Sequence, residues 1–496
     1  MKKSAQIHKA LTALAYIVML TGMTLLLAVV FRYPQNHLIP RQMIPGVGIC
    51  VIALLAAGAL WNKIYSLIGK RTPLYLLALV IFGVLLYITS LSRQGNENTL
   101  VDYTYVYRDA MNLATGGTLE YTDYFVTYSN NLKPMLLLSV WFRVAVLLGI
   151  SSFHFVLLRN ILLVLLVVWA CGYLTEQNGD CRWRFPILLA FAFLLPLWDM
   201  VSVFYTDSMS FGLGILTLAL LKKAGSAKTN RGKTLWSVLA GVVTVLAIIW
   251  KITAIIPLIA CTMILLWQRK KADRRVILPL VVSVIVFGVG LQLWANTYDV
   301  TRKAAVTANP VMSWVALGMK EDGSWTNNTE LVEQMYTFST KEEKQQYCVE
   351  YIRENKADFF NAEHLRKKAS YNFANGNLGA SAFLNVEQND QTMIWEMFSP
   401  WGSYYWRTSQ LCYCYLVSVY VLLWIGMLSS LRNVIRGQNP PSLLMICQLG
   451  FFGIVVFLML WEASSRQLYN QMPGILLGGV LSIDYFWKNL SIKPKK

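Results

Sequence analysis

The sequence predicts an all-α polytopic membrane protein, a bundle of about eleven to thirteen transmembrane helices with a mainly helical polar domain on its outer side. Three observations lead there. The 496-residue chain is 56% hydrophobic and 14% charged, with mean hydropathy +0.46. A soluble protein is nearer half apolar and a quarter charged. The apolar residues fall into runs of about 20, the length an α-helix needs to span a bilayer core of roughly 30 Å. The basic residues gather in the short connectors between those runs.

The first run, 10–31, reads as a signal anchor, because no small-residue cleavage site follows it. Runs at 43–61 and 74–92 precede a polar loop, 93–133. Further runs lie at 134–150, 155–174, 185–204, 208–222, 234–250, 253–267 and 275–297. A hydrophilic segment, 298–407, separates them from the last three, 409–430, 441–461 and 469–486. The expected organisation is therefore a transmembrane module 1–297, an extracytoplasmic segment 298–407 and C-terminal helices 408–496. No internal repeat or low-complexity tract interrupts it.

The net charge of +18 invites a nucleic-acid reading, and its distribution argues against one. Basic residues cluster at Lys2 and Lys3, Lys63 to Arg71, Lys222 to Lys233, Arg269 to Arg275, Arg432 and Arg436, and Lys488 to Lys496. These connectors are cytoplasmic by the positive-inside rule. The long hydrophilic segment 298–407 instead holds 14 acidic and 11 basic residues, where a nucleic-acid binder would concentrate positive charge. Counting crossings from these anchors puts loop 93–133, segment 298–407 and the connector 462–468 on the outer side. Asp207, in FYTDSMS, then joins Asp102 on that side. Between residues 133 and 175 only an odd number of crossings fits, yet two apolar runs occur. One of them, 134–150 or part of 155–174, must therefore be a surface or re-entrant helix, leaving about twelve crossings.

The segment 298–407 is too long for a casual loop. Thr340 to Glu343 reads as a capping box opening a helix through Tyr347, Tyr351 and Ile352, and a second helical stretch covers 356–374. Its aromatic tail, MIWEMFSPWGSYYW, suits a membrane interface. Cys348 is its only cysteine, so no disulfide framework or cysteine metal site can form there. No Walker loop, dinucleotide fingerprint or nucleophile elbow appears.

The order of these features resembles the GT-C glycosyltransferase superfamily. A first outer loop carries Asp102 in VDYTYVYRDA, then a Gly-Gly pair and YFVTYSNNLKP, and the final connector reads WEASSRQLYNQMP. The YF-x-x-Y-x-N-N run is similar to that of bacterial protein-mannosyltransferase-like members. Lys133-Pro134 is similar to the pair closing the first loop of the lipid A aminoarabinose transferases. Asp102-Tyr103 stands where that superfamily has Asp-Glu or Asp-x-Asp, and two extra spans precede the loop. The resemblance implies a GT-C-like bundle, and the short connectors and modest size suggest a bacterial plasma membrane. The resemblance also implies a polyprenyl-phosphate-linked sugar as donor, an extracytoplasmic acceptor, and no nucleic-acid partner.

Such a transfer needs a general base within reach of the acceptor hydroxyl. Asp102 is the expected base; the competing reading is a solvated loop carboxylate. Asp207 orients the acceptor, holds a metal, or merely caps a helix beginning at Ser208. Lys133, Lys251 and Arg466 are the expected cations for the leaving phosphate. Each has a plainer alternative: Lys133 as an interfacial anchor, Lys251 as partner of Asp207, Arg466 as a local pair with Glu462 four residues before it. Tyr103, Tyr128, Asn130, Asn131 and Glu462 are candidate sugar or acceptor contacts, with Tyr105, Tyr107 and Tyr124 in the same aromatic group; packing is the alternative for the rings. Asp109, Glu120 and Asp123 read as structural. The four histidines show no ligand spacing, and a single Mg²⁺ or Mn²⁺ on carboxylates stays open. Two other functions compete: a polymerase or ligase of lipid-linked polysaccharide, and a transporter or flippase.

Overall fold

The computed structural model describes residues 2–68, 72–91, 101–176, 180–269, 273–383 and 392–491. Parts of the expected loop 93–133, of the basic connectors 63–71 and 269–275, of segment 298–407 and of the basic tail 488–496 lie outside the described residues.

The described chain is helical throughout, with no β-strand. Helices α1 (Lys2–Arg32), α2 (Pro40–Ile68) and α3 (Thr72–Ser90) come first. The polar loop then supplies α4 (Val101–Ala114) and α5 (Thr122–Thr127), followed by α6 (Leu132–Leu147) and α7 (Ser152–Thr175). The next stretch breaks into α8 (Arg184–Ala192), α9 (Leu195–Met200), α10 (Thr206–Met209) and α11 (Leu213–Ser226). Helices α12 (Asn230–Trp250), α13 (Ile256–Trp267) and α14 (Arg274–Ala295) complete the first bundle. Thr229 and Asp273 start α12 and α14 by accepting backbone N–H bonds from Gly232 and Arg275.

The hydrophilic segment folds as α15 (Asp299–Thr307), α16 (Val311–Leu317), α17 (Thr329–Tyr336), α18 (Lys341–Glu354), α19 (Lys356–Phe359), α20 (Ala362–Phe373) and α21 (Met393–Phe398). The capping box at α18 is present as expected, with Thr340 and Glu343 bonding each other's backbone. This segment has its own small core of Ala316, Leu317, Leu331, Val332, Met335 and Cys348. Helices α22 (Tyr405–Ile435), α23 (Ser442–Leu460) and α24 (Met472–Ser491) end the chain.

Eight helices among the described residues are long and apolar enough to cross a membrane: α1, α2, α3, α7, α12, α14, α22 and α23. The all-α polytopic architecture expected from the sequence is present. Four further passes between the two ends are shorter, broken or more polar: α8 with α9, α11, α13 and α24. Pro196 opens a new helix inside the run expected at 185–204, because proline cannot donate to the preceding turn but suits a first turn, and Pro257 likewise opens α13 near the start of the run expected at 253–267. Apolar side chains such as Ile52, Leu278, Ile285 and Val286 are more than half exposed, as lipid-facing positions require.

Helix α6 settles the odd crossing. At its start Asn131 bonds Tyr124 of the polar loop. At its end the chain turns directly into α7, whose Ser152 and His154 contact Met111 of α4 and Tyr87 of α3. Both ends of α6 therefore lie at one end of the bundle, and its 16 residues do not cross. Leu147 and Leu148 are largely exposed there, as in a helix lying along a bilayer surface.

The two ends differ in kind. Connectors carrying Arg182, Lys222, Lys233, Asp273 and Gln268 bond to neighbouring connectors and helix termini at one end, the basic end. Loop helices α4 to α6 and the hydrophilic helices meet at the other, where Asn309 N–H donates to Thr127 O at 3.0 Å and Gln35 bonds Ser370 at 2.6 Å. Asp102 and Asp207 both belong to this second end, as the charge count predicts.

Candidate functional site

Three interruptions in the helical bundle meet at one place. The first is the turn 201–212 between α9 and α11, holding α10. The second follows Lys251, where α12 ends and a 3-10 turn, Ile252–Ile255, leads into α13. The third is the extended stretch 461–464 and the 3-10 turn Ser465–Gln471 before α24. Irregular backbone at membrane depth is tolerated only where protein buries it or a cavity is lined by it. Here side chains staple the three together. Asn470 donates to Thr253 Oγ1 at 3.0 Å and to Ser210 Oγ at 3.4 Å, and Gln471 donates to Thr253 O at 2.7 Å. Gly212 N–H donates to Asn470 O at 3.3 Å from a left-handed φ of 63°. A Cβ at Gly212 would come within 2.5 Å of Val167, so both space and conformation demand glycine.

Each interruption delivers a charge. Asp207, on α10, is completely buried and forms an ion pair with Lys251. Arg466 Nε approaches its other oxygen at 4.0 Å. One carboxylate thus lies between two cations, a balance that leaves one positive charge over. The capping role for Asp207 is corrected: it sits inside α10 and makes no cap bond. Glu462 precedes the 3-10 turn that carries Arg466, so the two do not share a helix, though their charges act on each other. Lys251 takes the expected partner, Asp207.

Asp102 stands beside this cluster. Tyr124 donates to its Oδ1 at 2.9 Å and Tyr205 to its Oδ2 at 3.4 Å. Asn131 in turn donates to Tyr124 at 2.6 Å and to Tyr205 at 3.4 Å. Burial, with neighbouring charge adding to it, pushes both phenols well above their ordinary pKa, so they remain donors. Each carboxylate oxygen keeps a lone pair beyond the one these phenols use. The Arg466 guanidinium lies 5.7 Å from the Tyr205 ring centroid, joining Asp102 and Asp207 into one network.

Glu462 completes the charged group. Burial raises its pKa to about 7, Asp102 adding to the rise while Arg466, Lys251 and Lys368 oppose it. Burial also works against Arg466, but Asp207, Tyr205, Asp102 and Glu462 outweigh it and hold the guanidinium charged. Lys368 was not expected from sequence. It is fully buried on α20, donates to Gly318 O at 2.6 Å, and burial lowers its pKa to about 7.

The remaining expected residues divide. Lys133 is half-buried in the first turn of α6, two residues from Asn131, with no hydrogen bond or ion pair among the described residues; burial holds its ammonium below the ordinary pKa. Tyr128 bonds Tyr336 at 2.6 Å, linking the polar loop to the hydrophilic segment. Asn130 is exposed and donates to Asn131 at 3.3 Å. Tyr103 is 5% exposed and packs edge-on against Tyr107, the packing alternative for this ring. Asp109 is structural as expected, accepting the backbone N–H groups of Glu120 and Tyr121. Among the described residues no three His, Cys, Asp or Glu side chains assemble as a metal-ligand set. The two oxygens of Asp207 already face Lys251 and Arg466, so they do not fit a resident Mg²⁺ or Mn²⁺ and no step is derived through one.

Residues 42–487 match the family described as conserved hypothetical integral membrane protein, and the chain belongs to it. No curated protein and no solved structure matches the chain.

Proposed function

From that membership, which establishes a multi-pass membrane protein, we propose that the chain is a glycosyltransferase using a polyprenyl-phosphate-linked sugar, with its site on the outer face of a bacterial plasma membrane. The observation that carries this reading is the convergence of Asp102 with two cations at three helix interruptions. The acceptor hydroxyl oxygen attacks the anomeric carbon, forming the new glycosidic bond. The bond from that carbon to the phosphate oxygen breaks, and its electron pair leaves with the polyprenyl phosphate. Asp102 takes the hydroxyl proton, held in place by Tyr124 and Tyr205. Lys251 and Arg466 stabilise the departing phosphate, Arg466 being suited to a two-point grip, and Lys133 is a further candidate cation for it. Glu462 and Asn131 contact the sugar or position these groups.

The interrupted helices also favour a second reading, a carrier of lipid-linked sugars, because transporters build substrate sites from broken helices. Purified protein supplied with a synthetic polyprenyl-phosphate sugar separates the two. Release of polyprenyl phosphate coupled to sugar transfer supports the transferase. Movement of the intact donor across vesicles without turnover overturns it in favour of the carrier. Tagging Tyr121 tests the orientation; reactivity only from the cytoplasmic side would overturn the outward-facing site.

A further inference from the structure

A cleft of about 520 Å³ opens between the α1–α2 connector and the hydrophilic segment, at the site end of the bundle. That size falls within the roughly 300–1,000 Å³ of small-molecule sites. One wall is Tyr33 and Gln35 from the connector; the other is Asp322, Asn327, Arg366 and Tyr371. The cleft is built rather than incidental. Gln35 donates to Ser370 at 2.6 Å, Ser370 donates to Tyr33 O at 2.6 Å, and the Arg366 guanidinium lies 4.1 Å from the Tyr33 ring centroid.

Its inner wall leads to the charged cluster. Asp322 borders the cleft, and the next residue, Gly323, accepts the backbone N–H of Ala463 at 2.7 Å. Asn372, one residue beyond Tyr371, accepts the N–H of Ser464 at 2.9 Å. Glu462 and Arg466 lie on this same stretch, and the Tyr371 phenol sits within the fields of Asp322, Glu462 and Arg466.

The charges around the cleft are mostly cancelled in place. Lys367 pairs with Glu321 at 3.3 Å, Arg366 with Glu363, and Asp322 accepts from Ser324 and from Asn327, while Arg32 at the rim lies 5.6 Å from the Tyr33 ring centroid. A phosphorylated occupant would need several unpaired cations, and among the described lining residues only Arg32 lacks an ion pair. What the walls offer is planar amide, guanidinium, carboxylate and phenol groups, which match an array of hydroxyls.

We propose that this cleft is the acceptor subsite, and that it admits a neutral, polyhydroxylated chain whose terminal hydroxyl reaches the Asp102–Glu462 side of the cluster. The proposal rests on the transferase reading and adds to it the acceptor class and its route of entry.

The test uses the full chain in lipid nanodiscs with a radiolabelled polyprenyl-phosphate sugar, membranes of the producing cells supplying the acceptor. Asn327→Cys places a thiol at the cleft, where Asn327 is exposed. Glu333→Cys places one on the exposed face of α17, outside it. The eight native cysteines are buried or half-buried, and the parent chain treated identically serves as reference. Attaching a bulky maleimide to Asn327→Cys should lower transfer to acceptor about tenfold or more, since a blocked approach loses reactant positioning. Cleavage of the donor by water should change less than about twofold, because the phosphate side stays open. Labelled Glu333→Cys should match the parent in both. Unchanged transfer after labelling overturns the proposal, and so does equal loss of both activities, which would join the cleft to the donor site. If the parent neither cleaves nor transfers, the transferase reading itself fails, a result distinct from failure of the cleft alone. A small methylthio label that also abolishes transfer would signal misfolding of the variant; Lys367→Cys, another position lining the cleft, then decides by the same two readouts.

Discussion

The two ends of the bundle treat charge in opposite ways. At the basic end, cations and carboxylates pair close by, Arg182 with Asp180 at 2.6 Å and Lys233 with Asp273 at 2.7 Å, with side chains between 20% and 39% exposed. At the site end Asp207 is wholly buried, and its partners arrive from separate helix breaks. Exposed pairs contribute little because water screens them and side-chain ordering opposes them. A buried group holds only while every charge in it is answered. Positive charge at the basic end therefore acts by number, setting orientation. At the site end burial removes that screening, so each charge is expected to matter individually.

The largest expected effect tests this through activity. Asp102→Asn should lower transfer by ~10²–10⁴-fold, the range a positioned base supplies. Its fold should survive, because the amide oxygen still accepts from one of the two tyrosines. Donor turnover at the parent rate would remove Asp102 from the mechanism. Next comes stability. Asp207→Ala removes the buried carboxylate that Lys251 pairs with, and a broken buried pair costs ~3–5 kcal/mol. Thermal unfolding in detergent measures it, and a loss under about 1 kcal/mol, the scale of exposed pairs, would erase the contrast.

What the sequence reveals of each end follows the same division. The basic connectors are visible as written, because orientation depends on composition and tolerates imprecise placement. At the site end, Lys251 is legible since AIIWKITAII places a charge inside an apolar run. Asp207 is legible for the same reason, though its role is not, because an aspartate before an apolar run reads as a cap. The break near Pro196 lies hidden inside hydropathy that continues across it; the proline is the available signal. Tyr205 sits two residues from Asp207, yet nothing local says that its hydroxyl reaches Asp102, 103 residues away. Lys368 is the hardest. HLRKKAS reads as the solvated face of a helix, and its burial arises from Gly318 and Gly323 closing over it, where a Cβ would lie within about 3 Å of the lysine. The first loop was easier, since Tyr124, Asn131 and Asp102 come from one contiguous stretch.

Glu462 and Lys368 sharpen the comparison through pH. The folded pKa of Glu462 is raised from 4.5 to about 7. Its contribution is present below the unfolded value and is lost as pH rises to about 7. The folded pKa of Lys368 is lowered from 10.5 to about 7, so its contribution is complete above 10.5 and lost as pH falls towards 7. The two together place a stability minimum near neutrality, each pKa unit being worth about 1.4 kcal/mol. Glu462→Gln should flatten the acidic limb and Lys368→Met the alkaline one, as read from Tm across pH 4.5 to 10.5. A parent profile with a maximum at pH 7 would show that neither group is buried in its charged form.

The smallest effect is the one that makes the others interpretable. Asp180 accepts from the backbone N–H of Arg182 at 3.0 Å and from its guanidinium at 2.6 Å, with about a third of each side chain in solvent. Asp180→Asn keeps an oxygen for the backbone bond and removes the charge and the acceptor that faces the guanidinium. Solvent screening should limit the loss to about 1 kcal/mol or less, with transfer unchanged. If instead it destabilised the protein as much as Asp207→Ala, burial would not be what distinguishes the two ends. The cluster at the helix breaks would then be one more ion pair, and its claim on the chemistry would rest on Asp102 alone.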